Sequence, residues 1–175
     1  SDAGRFDEAI KLVTDGYAKF PDKPRLLFLK GVYQEKAGDR EGCIATMRDV
    51  IVKDASNSSA FNYLGYLFVE KGENLEEAES LIKRALELKP DDGFYLDSLG
   101  WLYFQRGEFQ KARETLEKAA KIEPKEGVIF EHLGDVKRQL GDIKGAVEDY
   151  RRALDGMLED KDKLRIEGKL KEYSK

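Results

Sequence analysis

The sequence predicts an all-α solenoid of stacked antiparallel helix hairpins. Three observations carry that expectation. Gly31, Gly65, Gly100 and Gly134 stand 34, 35 and 34 residues apart. A small-residue column, Ala9, Cys43, Ala78, Ala112 and Ala146, keeps the same step at 34, 35, 34 and 34 residues. A third column, Pro21, Ala55, Pro90, Pro124 and Leu158, marks the end of each unit. Self-similarity at a fixed period of this size is the mark of stacked two-helix repeats. A solenoid grows in one dimension, so 175 residues need no single central core.

Each unit reads as two helices. The second helix follows a glycine-polar turn: Gly4-Arg5, Gly38-Asp39, Gly72-Glu73, Gly107-Glu108 and Gly141-Asp142. Apolar residues then recur every three or four positions, as in Ala78, Leu81, Ile82, Ala85 and Leu86. Pro90 and Pro124 close their hairpins, because proline cannot continue a helix interior. The first helices fall at 25–37, 59–71, 94–106 and 128–140, each holding one column glycine. A mid-helix glycine costs about 1 kcal/mol against alanine, so its recurrence points to close helix packing at that spot. Leu75 reads as a one-residue insertion that explains the single 35-residue step. Gly16, Gly42, Gly145 and Gly156 read as interior to second helices, which predicts weaker units there than over residues 94–124.

The array therefore occupies residues 1–158. A lone second helix at 3–20 precedes repeats at about 24–57, 58–92, 93–126 and 127–158. The chain opens inside a repeat and without an initiator methionine, which suggests an excised piece of a longer protein. In residues 159–175, Ile166, Leu170 and Tyr173 form an apolar stripe at helical spacing in a charged background. That suits a capping helix, with one face on the last hairpin and one in water. A partner-binding amphipathic helix is the alternative.

The units resemble tetratricopeptide repeats. The best unit carries Leu96, Leu99-Gly100, Tyr103, Gly107, Phe109, Ala112, Leu116, Ala119 and Pro124 in the family's columns. The resemblance implies a right-handed superhelix whose first helices line a concave binding face. It places Arg25, Phe28, Leu29, Val32 and Glu35 inward, then Ser59, Asn62, Tyr63, Tyr66 and Val69. Phe94, Asp97, Ser98, Trp101 and Phe104 follow, then Val128, Glu131, His132, Asp135 and Arg138. Residues 61–124 are similar to bacterial multi-repeat proteins of the outer-membrane lipoprotein type, many of them periplasmic adaptors. That resemblance implies a bacterial scaffold, periplasmic or cytoplasmic.

Two expectations about the groove follow. The Lys, Asn and Arg of a carboxylate clamp are absent, since Phe28, Val32, Tyr63, Phe94 and Ser98 hold those columns. Hydrogen bonds to charged groups contribute roughly 1.5–3 kcal/mol each, so an acidic chaperone tail is a poor ligand. The candidate groove residues are Phe28, Asn62, Tyr63, Tyr66, Phe94, Trp101 and Phe104, with a polar end of Asp97, Glu131, His132 and Asp135. Aromatic anchors of this kind form binding hot spots, which suits an apolar or amphipathic partner segment. The competing reading is that some of these rings only pack between hairpins.

The composition excludes several classes. Hydrophobic residues make up 41% and charged residues 38%, with a net charge of −4 and no basic block. Nucleic-acid binding thus lacks its electrostatic footprint. No run approaches the roughly 20 apolar residues needed to span a bilayer, and no signal peptide is visible. Cys43 is the only cysteine, which rules out an intrachain disulfide and suggests a small buried hydrophobe. His132 is the only histidine, with no Ser–His–Asp or Cys–His arrangement and too few ligands for a metal. The expectation is a non-catalytic protein-binding scaffold without cofactor. The alternatives are a structural spacer, or head-to-tail self-association through an uncovered stripe of Phe6, Ala9, Ile10, Val13 and Tyr17.

Overall fold

The computed structural model of the chain describes residues 2–173. Among them ten helices follow in order: α1 (Asp2–Lys19), α2 (Pro24–Lys36), α3 (Arg40–Lys53), α4 (Ser58–Lys71) and α5 (Leu75–Leu88), then α6 (Gly93–Gln105), α7 (Phe109–Ile122), α8 (Gly127–Gln139), α9 (Ile143–Asp155) and α10 (Asp160–Lys171). No strand occurs among the described residues. One isolated backbone bridge joins Glu126 to Met157, beside the start of α8. Each helix packs on its successor in the chain, and α4, α6 and α8 also pack side by side as an inner layer. That is the all-α hairpin solenoid expected from the period.

The turns inside the hairpins share one chemistry. Gly38, Gly72, Gly107 and Gly141 all take positive φ, between 66° and 84°, where a side chain would be strained. After α6, Gly107 N donates to Phe104 O and Glu108 N reaches back to Tyr103 O, both at 2.9 Å. This closes the orphan carbonyls of the helix end. The 35-residue step has its physical cause here, and it is not Leu75. Leu75 is the first residue of α5, in register with Phe109 and Ile143. The extra residue lies in the turn, where Asn74 adopts φ 46°.

The other glycines have local causes. Gly42 and Gly145 stand in the first turns of α3 and α9. Each gives its amide to the N-cap carboxylate, Asp39 or Asp142, at 2.9 Å. A Cβ at Gly42 would stand 2.0 Å from Asp39 Oδ2, and at Gly145 2.3 Å from Asp142 Oδ2. Gly156 lies beyond α9 as its C-cap residue. Gly16, Gly42 and Gly145 thus lie inside α1, α3 and α9 as expected, the last two in the first turn, and only Gly156 of the four falls outside its helix.

The column glycines face the next helix directly. A Cβ would meet Met47 Cε at 2.7 Å from Gly31, Ile82 Cγ1 at 2.7 Å from Gly65, and Leu116 Cγ at 2.5 Å from Gly100. At Gly134 it would enter the Tyr150 ring, 2.4 Å from Cε1. The alanine column lies opposite, with Ala78, Ala112 and Ala146 fully buried. The apolar interior forms two clusters along the stack, one from α2 to α6 and one from α6 to α10, with Tyr103 packed against both.

Cys43 is fully buried in the first cluster. Burial pushes its thiol up to about 12, and the charges of Glu35 and Asp39 add to the effect. The expected result is no reaction with a disulfide thiol reagent at mildly alkaline pH until urea unfolds the chain. Rapid labelling of the native protein would contradict this packing.

The stripe on α1 is not bare. Val13 is buried against α2, and Phe6, Ala9, Ile10 and Tyr17 are half-buried. The apolar residues left open around α1 are Leu12 and Phe20. At the other end, Ile166 of α10 is fully buried in the second cluster, with Leu170 and Tyr173 against it.

Candidate binding groove

The inner layer creates one apolar cavity of about 430 Å³. α4 contributes Asn62, Tyr63, Tyr66, Leu67 and Glu70; α6 contributes Phe94, Asp97 and Ser98. Val128 and Ile129 of α8, Glu126 before it and Glu35 of α2 complete the wall. Five candidate residues thus meet here: Asn62, Tyr63, Tyr66, Phe94 and Asp97. Phe94 is the most open ring, at 47% exposure. Tyr63 and Tyr66 are half-buried, and their hydroxyl pKa values are raised, first by burial and then by the nearby carboxylates Glu35 and Asp97 respectively.

The helical period could have added Glu70, four residues after Tyr66 on the same face. Glu126 is not on a helix, so no periodicity signals it. Its carboxyl is held above its ordinary value by burial and by the charges of Glu123 and Asp97. A second concavity of about 640 Å³ continues from Tyr66, Glu70, Glu126 and Val128 past His132 to Lys161, Asp162 and Arg165 of α10.

The remaining candidates do structural work. Phe28 lies edge-on to Tyr63 at 5.8 Å and packs on the first core cluster. Trp101 is sandwiched: Phe104 stacks on one side at 4.3 Å and the His132 ring on the other at 4.2 Å. Phe104 also touches Phe109 at 5.5 Å. These rings join α6 to α7 and α8 and do not line the cavity.

The expected polar end is closed by α10. Glu131 is 2% exposed and takes two hydrogen bonds from Arg165, at 2.7 and 2.5 Å, and one from Lys169 at 2.7 Å. Lys169 also reaches Asp135 at 2.6 Å, and Tyr150 OH donates to Asp135 at 2.7 Å. Glu131 and Asp135 are therefore satisfied within the chain, which corrects their placement as groove contacts. Sequence periodicity marked the apolar stripe of α10 but gave no sign that its basic face turns inward.

His132 is buried, with Nδ1 2.8 Å from Asp97 Oδ1. Burial alone would lower its pKa. The charge and hydrogen bond of Asp97, helped by Glu131 and Asp135, outweigh that and raise it. A raised folded value means the stabilisation is complete below the unfolded value, near about 6.5, and is lost as pH rises through the folded one. The melting temperature is expected to fall as pH rises above neutrality, and the slope to flatten in His132→Asn. A flat profile in the unaltered protein would contradict this.

Among the described residues no group of three His, Cys, Asp or Glu side chains is placed to hold a metal ion. No helix is long and apolar enough to cross a membrane. Tetratricopeptide repeat family profiles match residues 1–42, 93–126 and 129–155. The chain belongs to the tetratricopeptide repeat family. It is 31% identical to the TPR repeat-containing protein PA4667 of Pseudomonas aeruginosa over 129 residues, which is 74% of this chain and 22% of that protein. It is also 33% identical to the Protein CTR9 homolog of Arabidopsis thaliana over 90 residues, 49% of this chain. The chain thus spans about a fifth of the length of the first of these relatives and 8% of the second. Among solved structures it is similar to TTC0263, a TPR protein of Thermus thermophilus, with a TM-score of 0.79 and 23% identity over 94% of this chain and 90% of that one. MamA of Desulfovibrio magneticus follows with a TM-score of 0.72 and 20% identity, covering 86% of this chain and 85% of that one. These two likenesses bear on the tetratricopeptide fold alone.

Proposed function

We propose that this tetratricopeptide array is a non-catalytic scaffold that binds a segment of a protein partner in its concave groove. The family works in general through protein interaction, and solenoid curvature supplies extended concave binding surfaces. The observation that supports the groove is the cavity between α4, α6 and α8, where Tyr63, Tyr66 and Phe94 surround about 430 Å³ of accessible space. Pockets walled by aromatic side chains with a few polar groups favour an apolar or amphipathic occupant. The test is affinity capture of partners with the whole chain and with Tyr66→Ala/Phe94→Ala, both verified as folded by circular dichroism. Trp101 is a poor choice for this test, because its stack between Phe104 and His132 holds helices together. A partner retained by the unaltered chain and lost by the variant supports the groove. A partner held equally by both moves the interface elsewhere.

Head-to-tail self-association draws on less. The stripe predicted to drive it is largely spent on α2, which leaves Leu12 at 74% and Phe20 at 56% exposure. Sedimentation over a concentration series decides it: a monomer throughout rejects that reading.

A further inference from the structure

The cavity has an unbalanced charge. Four carboxylates line it, from Glu35, Glu70, Asp97 and Glu126, and no lysine or arginine does. Asp97 is engaged by His132 at 2.8 Å. Glu35 meets only the Tyr63 hydroxyl, at 3.5 Å, and Glu70 and Glu126 have no ion pair among the described residues. Of the cations in the adjoining concavity, Arg165 is bound to Glu131 and Asp162, and Lys161 stands at the exposed surface beside Glu159 at 3.0 Å. Elsewhere on the molecule Glu73, Glu77 and Glu79 pair with Arg40, Arg48 and Arg106 of neighbouring helices. Three aromatic rings, Tyr63, Tyr66 and Phe94, border the same space. Ring faces attract cations, more strongly as the site is desolvated.

We propose that the partner segment places a lysine or arginine side chain in this cavity, its stem against the rings and its charge toward Glu35, Glu70 and Glu126. The inference rests on the groove reading and specifies its ligand: an amphipathic segment with a base set among apolar residues. An acidic or wholly apolar segment would leave these carboxylates facing a dry wall with no counter-charge, which is costly. A cation supplies the missing charge.

The probe is a displayed library of random dodecapeptides, selected against the whole chain and followed by fluorescence anisotropy on recovered peptides. Recovered sequences are expected to carry Lys or Arg beside aliphatic or aromatic residues. Replacing that base by glutamine should weaken binding about tenfold, equivalent to about 1.4 kcal/mol. Glu70→Gln/Glu126→Gln should erase that difference, while Phe94→Ala weakens both peptides. Peptides without basic enrichment that still need Phe94 overturn the cation and leave the groove standing. Peptides that bind Tyr66→Ala/Phe94→Ala as tightly as the unaltered chain, or no recovered peptides at all, overturn the groove and the cation together.

Discussion

Tyr150→Ala is expected to cost about 3–5 kcal/mol of folding free energy, the range for deleting a large buried ring. Tyr150 is fully buried, fills the space that Gly134 leaves on α8, and donates to Asp135. Truncation opens a cavity and removes one of the two partners of a buried carboxylate. The same contact predicts a change of sign. Gly134→Ala alone drives a Cβ into the ring, with Cε1 at 2.4 Å and Cδ1 at 2.5 Å. Overpacking costs about 1–3 kcal/mol, which exceeds the roughly 1 kcal/mol of helix propensity that alanine returns. In a Tyr150→Ala background the clash is gone and only the propensity gain remains, so Gly134→Ala should then stabilise. Urea unfolding of all four species, followed by circular dichroism, measures the coupling. Additive effects of one sign would show that the glycine column has another cause.

Arg165→Ala/Lys169→Ala is the second large effect, about 3–5 kcal/mol, because it strands buried carboxylates without counter-charge. Glu131, 2% exposed in the intact protein, would lose all three of its cationic hydrogen bonds. The loss should fall on α10, seen as faster amide exchange there and at the end of α9, with α2 to α5 unchanged. Lys161→Ala/Lys163→Ala is the control, since its ion pairs are exposed and should change stability by no more than about 0.5 kcal/mol. Acid should act like the double variant. Burial raises the Glu131 pKa, but the bonds from Arg165 and Lys169 outweigh it and hold the carboxyl below its ordinary value. Its stabilisation is present above the unfolded value and is lost as pH falls through the folded one. Docking of α10 should therefore fail before the first hairpins unfold. Equal exchange across the chain at low pH would contradict this.

Periodicity made the architecture legible. The glycines and alanines recur because helices of one hairpin touch at one height in each unit, and a contact of backbone against side chain admits only small residues. The groove was legible in part. Helical columns say which side chains share a face, but not whether a ring points across the concave space or sideways into the next hairpin. That is why Phe94 lines the cavity while Trp101, seven residues later on the same face, stacks between Phe104 and His132. Glu126 was hidden because a loop residue has no period. The inward turn of Arg165 and Lys169 was hidden because a basic helix face looks the same whether it meets water or a carboxylate. The 35-residue step shows the same limit: spacing revealed an extra residue, and only the backbone of Asn74 located it.

A protein partner that lies on Phe94 can be caught there in the native host by a photo-crosslinking phenylalanine analogue. The control site is Val52, an 82% exposed position on a second helix. Crosslinks to a discrete protein from position 94, absent from position 52 and suppressed by Tyr66→Ala, are the expected result. Equal crosslinking from both positions, or crosslinking from position 52 alone, would contradict binding through the concave groove.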